Sequence, residues 1–171
     1  MKRLQIILSL ILFSTFSFAQ EFEVPATYRF LTSSDYAKFE PQVLECAKWL
    51  TSTPFSQDKL KRQKANAFLL SYLGANKSKL KLKVNPNVLT FAGTSPELLN
   101  VFMAGWTQYA LENDGSLDKQ KGNMAGINAA LDFYAANKAD MSKDKNVEKF
   151  LKMRAKESLD EYVATNAIAE D

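Results

Sequence analysis

The 171-residue sequence contains no histidine and a single cysteine, Cys46. Without histidine there is no Ser-His-Asp or Cys-His activation, no imidazole general base, and no His-containing zinc or copper site. One cysteine can build neither a disulfide framework nor a structural zinc site, so stability must come from packing. Cys46 falls among apolar helix positions, where a buried, inert thiol is expected. Acidic residues are missing from the whole window Lys59 to Pro96. Beyond the N-terminal segment no apolar run approaches the roughly 20 residues a membrane-crossing helix needs. There is neither an internal repeat nor a linker long enough to divide the chain.

What is present begins with "MKRLQIILSLILFSTFSFAQ". Lys2 and Arg3 supply a positive start, Ile6 to Phe13 an apolar core, and Ser17 and Ala19 the small residues a signal peptidase accepts. Residues 1–19 are therefore expected to be a secretory signal, with cleavage after Ala19. The protein is then exported, to the periplasm or outside the cell. Residues 20–171 remain as one domain, large enough for a proper core. Lys2 and Arg3 are two of 22 basic residues set against 19 acids, so the rest of the chain is nearly neutral.

The periodicity predicts a mainly α, compact helical bundle, with at most a short strand or hairpin near residues 79–91. Ser33, Ser34 and Asp35 open a short helical turn, and Pro41 fits the first turn of a second helix that Pro54 ends. Ser56 can cap a helix running to Leu73 and stopped by Gly74. Ser95-Pro96 opens the clearest helix, whose apolar stripe holds Leu98, Phe102, Trp106 and Tyr109. Residues 117–136 form a helix apolar on most sides. Its Gly122 and Gly126 invite close approach of another backbone, which makes it the expected central helix. Ser142 to Ala155 is amphipathic, and Ser158-x-x-Glu161 reads as a capping box.

Charge placement is the most informative pattern. Lys59, Lys61, Arg62, Lys64, Lys77, Lys79, Lys81 and Lys83 stand in the acid-free window, while the chain on either side is net acidic. Such a segment fits an anionic surface or an acidic protein. It has no interleaved exposed aromatics for stacking, which argues against nucleic acid. Within it, "NKSKLKLKV" alternates so that a strand would turn Leu80, Leu82 and Val84 inward and the lysines to water. Lysines on an exposed edge also deter pairing with another chain.

Other chemistry is thin. Ser-x-x-Lys tetrads begin at Ser56, Ser78, Ser116 and Ser142, but the partner motifs of the beta-lactam-binding enzymes are missing. Glu112, Asp114 and Asp118 gather at the turn "LENDGSLD". Paired acids can cleave glycosidic bonds if one is buried enough to hold its proton, whereas this turn reads as solvated. Neither it nor "DMSKDKN" has the glycine and terminal acid of a calcium loop. Trp106, Tyr109 and Asn123 are the residues for a small pocket, with core packing as the simpler role for each. No catalytic residue, metal or cofactor is assigned.

The stretches "FMAGWTQYALEN", "GNMAGINAALDFYAANK" and "KDKNVEKFLKM" resemble a group of small exported bacterial helical proteins of unknown function, over roughly residues 41–163. The resemblance implies a signal peptide and a compact helical fold, and brings no catalytic residues. A fainter similarity is to the periplasmic immunity proteins of type VI secretion. Those typically carry paired cysteines, which this chain lacks. The expected function is a non-enzymatic binding protein whose partner is unknown, acting through the basic segment 59–83. The alternatives are a histidine-free cell-wall glycan hydrolase using Glu112 and Asp118, and a toxin-neutralising protein.

Overall fold

The computed structural model describes residues 22–75, 78–82, 90 and 95–166. The expected signal segment, Lys77, Lys83 and most of the expected hairpin near 79–91 lie outside them. Among the described residues there are six α-helices and no strand: α1 (Ser33–Ser52), α2 (Lys59–Gly74), α3 (Pro96–Glu112), α4 (Lys119–Ala136), α5 (Lys145–Ala155) and α6 (Leu159–Asn166).

α1 corrects the expectation of two helices here. It starts from a capping box in which the Thr32 hydroxyl accepts from the Asp35 amide, while the Asp35 carboxylate accepts from the Thr32 and Leu31 amides. It then runs unbroken through Pro41. A helix-interior proline normally costs about 3 kcal/mol. Packing on both sides of Pro41 holds the helix together: Tyr36 before it, and Val43, Cys46, Ala47 and Leu50 after it, are all buried.

Four other starts are set by carboxylates or by serine, and not always by the residue the sequence points to. Asp58, with left-handed backbone (φ 41°), caps α2 through the Lys61 amide, in place of Ser56. Ser95 caps α3 with Pro96 behind it, as expected. Asp118 caps α4 and Asp144 caps α5, the latter in place of Ser142. Ser158 builds no capping box among the described residues; its hydroxyl instead donates back to the Met153 carbonyl at 3.3 Å.

α4 sits centrally, touching α1, α3, α5 and α6. Its seam with α3 is the tightest part of the fold. The Trp106 indole lies directly on Gly122. A Cβ on Gly126 would stand 2.7 Å from the Phe102 carbonyl oxygen, and one on Gly105 would stand 2.9 Å from the Ala125 carbonyl oxygen. Glycine is therefore required at these helix-interior positions, despite the roughly 1 kcal/mol each costs relative to alanine.

Polar ties fix the remaining elements. Asn137 ends α4 and bridges to the turn after α1: its Nδ2 donates to the Phe133 carbonyl and its Oδ1 accepts from the Phe55 amide, both at 2.7 Å. The Tyr134 hydroxyl accepts from the Asp144 amide and donates to Glu148, joining α4 to α5. Arg154 of α5 reaches Asp132 at 2.7 Å across the wet stripe of α4. On the far side, Phe30 of the irregular N-terminal segment packs among Tyr36, Phe39, Phe68 and Tyr72.

Candidate functional site

The basic segment is divided between core and surface. On α2, the buried positions Lys61, Arg62, Ala65, Phe68, Leu69 and Tyr72 form one helical face. Two of the eight expected patch cations therefore turn inward. The Arg62 guanidinium lies between the rings of Trp49 and Phe133, with centroids 5.3 and 5.1 Å away. Its Nη1 donates to the Leu50 carbonyl at 3.2 Å and to Glu97 at 2.7 Å. Its Nη2 donates to the carbonyls of Thr53 at 2.6 Å and Pro54 at 3.3 Å.

This is structural chemistry. A planar, permanently charged fork caps the carbonyl end of α1 and satisfies a carboxylate at the start of α3. The Asn66 amide completes the Glu97 carboxylate at 3.2 Å. Lys61 places its ammonium over Trp49, 5.3 Å from the ring centroid, and 3.4 Å from Glu23. Neither Arg62 nor Lys61 is presented to a partner.

Lys59, Lys64, Lys79 and Lys81 are exposed, and none forms an ion pair among the described residues. In the segment after α2, Leu80 is buried and Leu82 half-buried while both lysines face water. The expected in–out alternation is therefore present over residues 79–82, without a strand. The buried Ser78 hydroxyl donates to the Leu80 carbonyl at 3.1 Å and fixes this piece of chain.

Trp106, Tyr109 and Asn123 do not make a common pocket. Trp106 is in the core against Gly122. Asn123 is fully buried: its Nδ2 donates to the Lys119 carbonyl at 2.8 Å, and its Oδ1 meets no donor among the described residues. Only Tyr109 lines a cleft, an open space of about 410 Å³ between α1, α3 and α4, together with Thr51, Gln108, Glu112 and Asp132.

The carboxylates expected for glycan cleavage are separated in role. Glu112 pairs with Lys48 at 2.7 Å, whereas Asp118 caps α4 through the Lys121 amide at 2.9 Å. The acid that shares the cleft with Glu112 is Asp132, itself held by Arg154. The exposed Asp114 lies in the turn, with left-handed backbone (φ 55°).

Perturbed groups lie outside this cleft. Burial pushes the Cys46 thiol well above its usual range, and its Sγ donates to the Ala65 carbonyl at 3.4 Å. Tyr72 is also pushed up, by burial first and by nearby Glu40 second. Asp35 is held below the usual carboxylate range by the Thr32 and Leu31 amides, and Glu148 by the Lys138 ammonium. Both are stabilised helix-terminal acids. Among the described residues no group of His, Cys, Asp or Glu side chains converges to hold a metal, and no helix is long and apolar enough to cross a membrane. Comparison with protein-family models, curated proteins and solved structures gave no match.

Proposed function

We infer, from the chain's own chemistry, that this is an exported helical binding protein without catalytic activity. Residues 1–19 act as its secretory signal, and the outward part of its basic segment engages an anionic partner. The observation that carries the reading is the split within the acid-free window. Arg62 and Lys61 are consumed by the fold, while Lys59, Lys64, Lys79 and Lys81 stay exposed and unpaired among the described residues. Four exposed lysines with no acid between them in the sequence attract an anionic surface more strongly than the near-neutral overall charge implies, with Asp58 and Glu23 the acids nearest to Lys64. Neutralisation of an acidic toxin is a narrower form of the same reading.

The test is salt-dependent retention of the processed protein on immobilised heparin, used as a generic polyanion. Wild type is expected to bind at low salt and elute as screening increases. The K59E/K64E/K79E/K81E variant is expected to flow through while keeping its far-UV circular dichroism. Equal elution of the two folded proteins would overturn the reading. Mass spectrometry of the exported product is expected to place Gln20 at its N-terminus.

A further inference from the structure

The outer face of α2 narrows the class of anionic partner, an inference that rests on the binding role proposed above. The exposed residues of this helix fall within about 140° of its circumference. Around that arc, Lys59 stands at one edge and Lys64 at the other. Leu70, Ala67 and Leu60 lie between them, with a glycine and two uncharged polar side chains completing the surface. Leu60 is 62% exposed and Leu70 42%. Four large hydrophobic residues are exposed among the described residues, and two of them share this one arc. They stand about 15 Å apart along the helix axis.

The arrangement is an apolar strip with a cationic margin on either side. Among the described residues nothing buries Leu60 or Leu70, although the opposite face of α2 is fully used in the core. A hydrated polyanion gives leucines no apolar environment. A fluid bilayer takes leucine side chains into the acyl boundary and offers phosphates at the depth a lysine stem reaches when laid along apolar surface. Two acids border the Lys64 edge of the strip, Asp58, which caps α2, and Glu23, which meets Lys61 at 3.4 Å; the Lys59 and Leu70 side of the arc has no acid beside it in the helix. Lys79 and Lys81 follow the helix within seven residues of Gly74 and add charge of the same sign.

The geometry points to the outer face of α2, with Lys59 and Lys64 flanking Leu60 and Leu70, as a docking surface for an anionic phospholipid bilayer. Binding is reversible, because it combines shallow apolar insertion with attraction worth about fivefold in affinity per lysine.

Vesicle flotation of the processed protein tests this. Wild type is expected to float with vesicles of equal parts phosphatidylglycerol and phosphatidylcholine, and not with phosphatidylcholine alone. L60S/L70S, whose substitutions lie on the solvent face and whose fold is checked by circular dichroism, is expected to lose about tenfold or more in vesicle affinity. It should keep the salt-dependent heparin retention of wild type. K59S/K64S is expected to lose about 25-fold. Vesicle binding unchanged in L60S/L70S overturns the inference, as does formation of a dimer that buries the α2 face. Retention on heparin with no flotation overturns the bilayer as partner and leaves the polyanion-binding role standing. Failure on both overturns the two together.

Discussion

Arg62→Met is the sharpest perturbation the fold offers. Methionine keeps much of the stem's volume between Trp49 and Phe133 but removes the fork that reaches three carbonyls and the Glu97 carboxylate. The Glu97 side chain is only 14% exposed and would keep one partner, the Asn66 amide. Removing one member of a buried ion pair typically costs about 3–5 kcal/mol, and that is the loss expected here. It is a large share of the roughly 5–15 kcal/mol by which domains are stable. R62K should recover less than half, because an ammonium cannot match four acceptors arranged around a planar group. In R62M/E97Q the orphaned charge is gone, so the double variant should cost about 1–2 kcal/mol less than the sum of its singles. Urea unfolding followed by circular dichroism gives all four values. An R62M protein within about 1 kcal/mol of wild type, the range of ordinary substitutions, would refute the buried-cation argument.

Two further expectations concern other parts of the molecule. G126A should destabilise by about 1–3 kcal/mol, because its methyl group meets the Phe102 ring and carbonyl, whereas G74A, with open space around it, should stabilise by about 0.5–1 kcal/mol; thermal melts of the two variants report the contrast. Asp35 is depressed in the folded state, so its contribution is fully present above its ordinary value of 3.8 and is lost as pH falls through the folded value. The wild-type advantage over D35N in urea midpoint should therefore be largest at neutral pH and shrink below 3.8; an advantage that grows with acid would contradict the assignment.

The α3–α4 pair was readable because its signals are local. Ser95-Pro96 marks a helix start by itself, and Gly122 and Gly126 mark a close approach whichever helix makes it. Capping was less readable: Ser56 and Asp58, or Ser142 and Asp144, are chemically equivalent choices, and tertiary packing decides between them. Pro41 misled because the rule for an isolated helix ignores the buried side chains that hold α1 on both sides. The basic window misled in another way. Counting charges treats Arg62 and Lys59 alike, although Arg62 shares a face with Ala65, Phe68, Leu69 and Tyr72, a periodicity present in the sequence. Its partner Glu97 lies just beyond the acid-free window, and only the folded chain brings the two together. The same periodic reading would have exposed Leu60 and Leu70 on the opposite arc. Both sides of α2 are rich in apolar groups, so no single stripe stands out. Trp106 and Asn123 looked like pocket residues for want of knowing that α3 and α4 leave no gap between them there.

The Arg62 cluster also has a kinetic side. Its partners come from 12 and 9 residues back along the chain and 35 forward, and the Phe133 ring comes from the far end of α4. The cluster can close only after α1, α2, α3 and α4 have met. The α3–α4 seam needs only the short turn at Asn113–Asp118 to fold back. Contacts that close last are largely absent from the folding transition state, so their loss shows in the unfolding rate. In a chevron plot the cost of R62M should therefore fall mainly on the unfolding arm. The buried arginine then acts less as a guide to the fold than as a latch, setting how long the molecule stays folded once it is made.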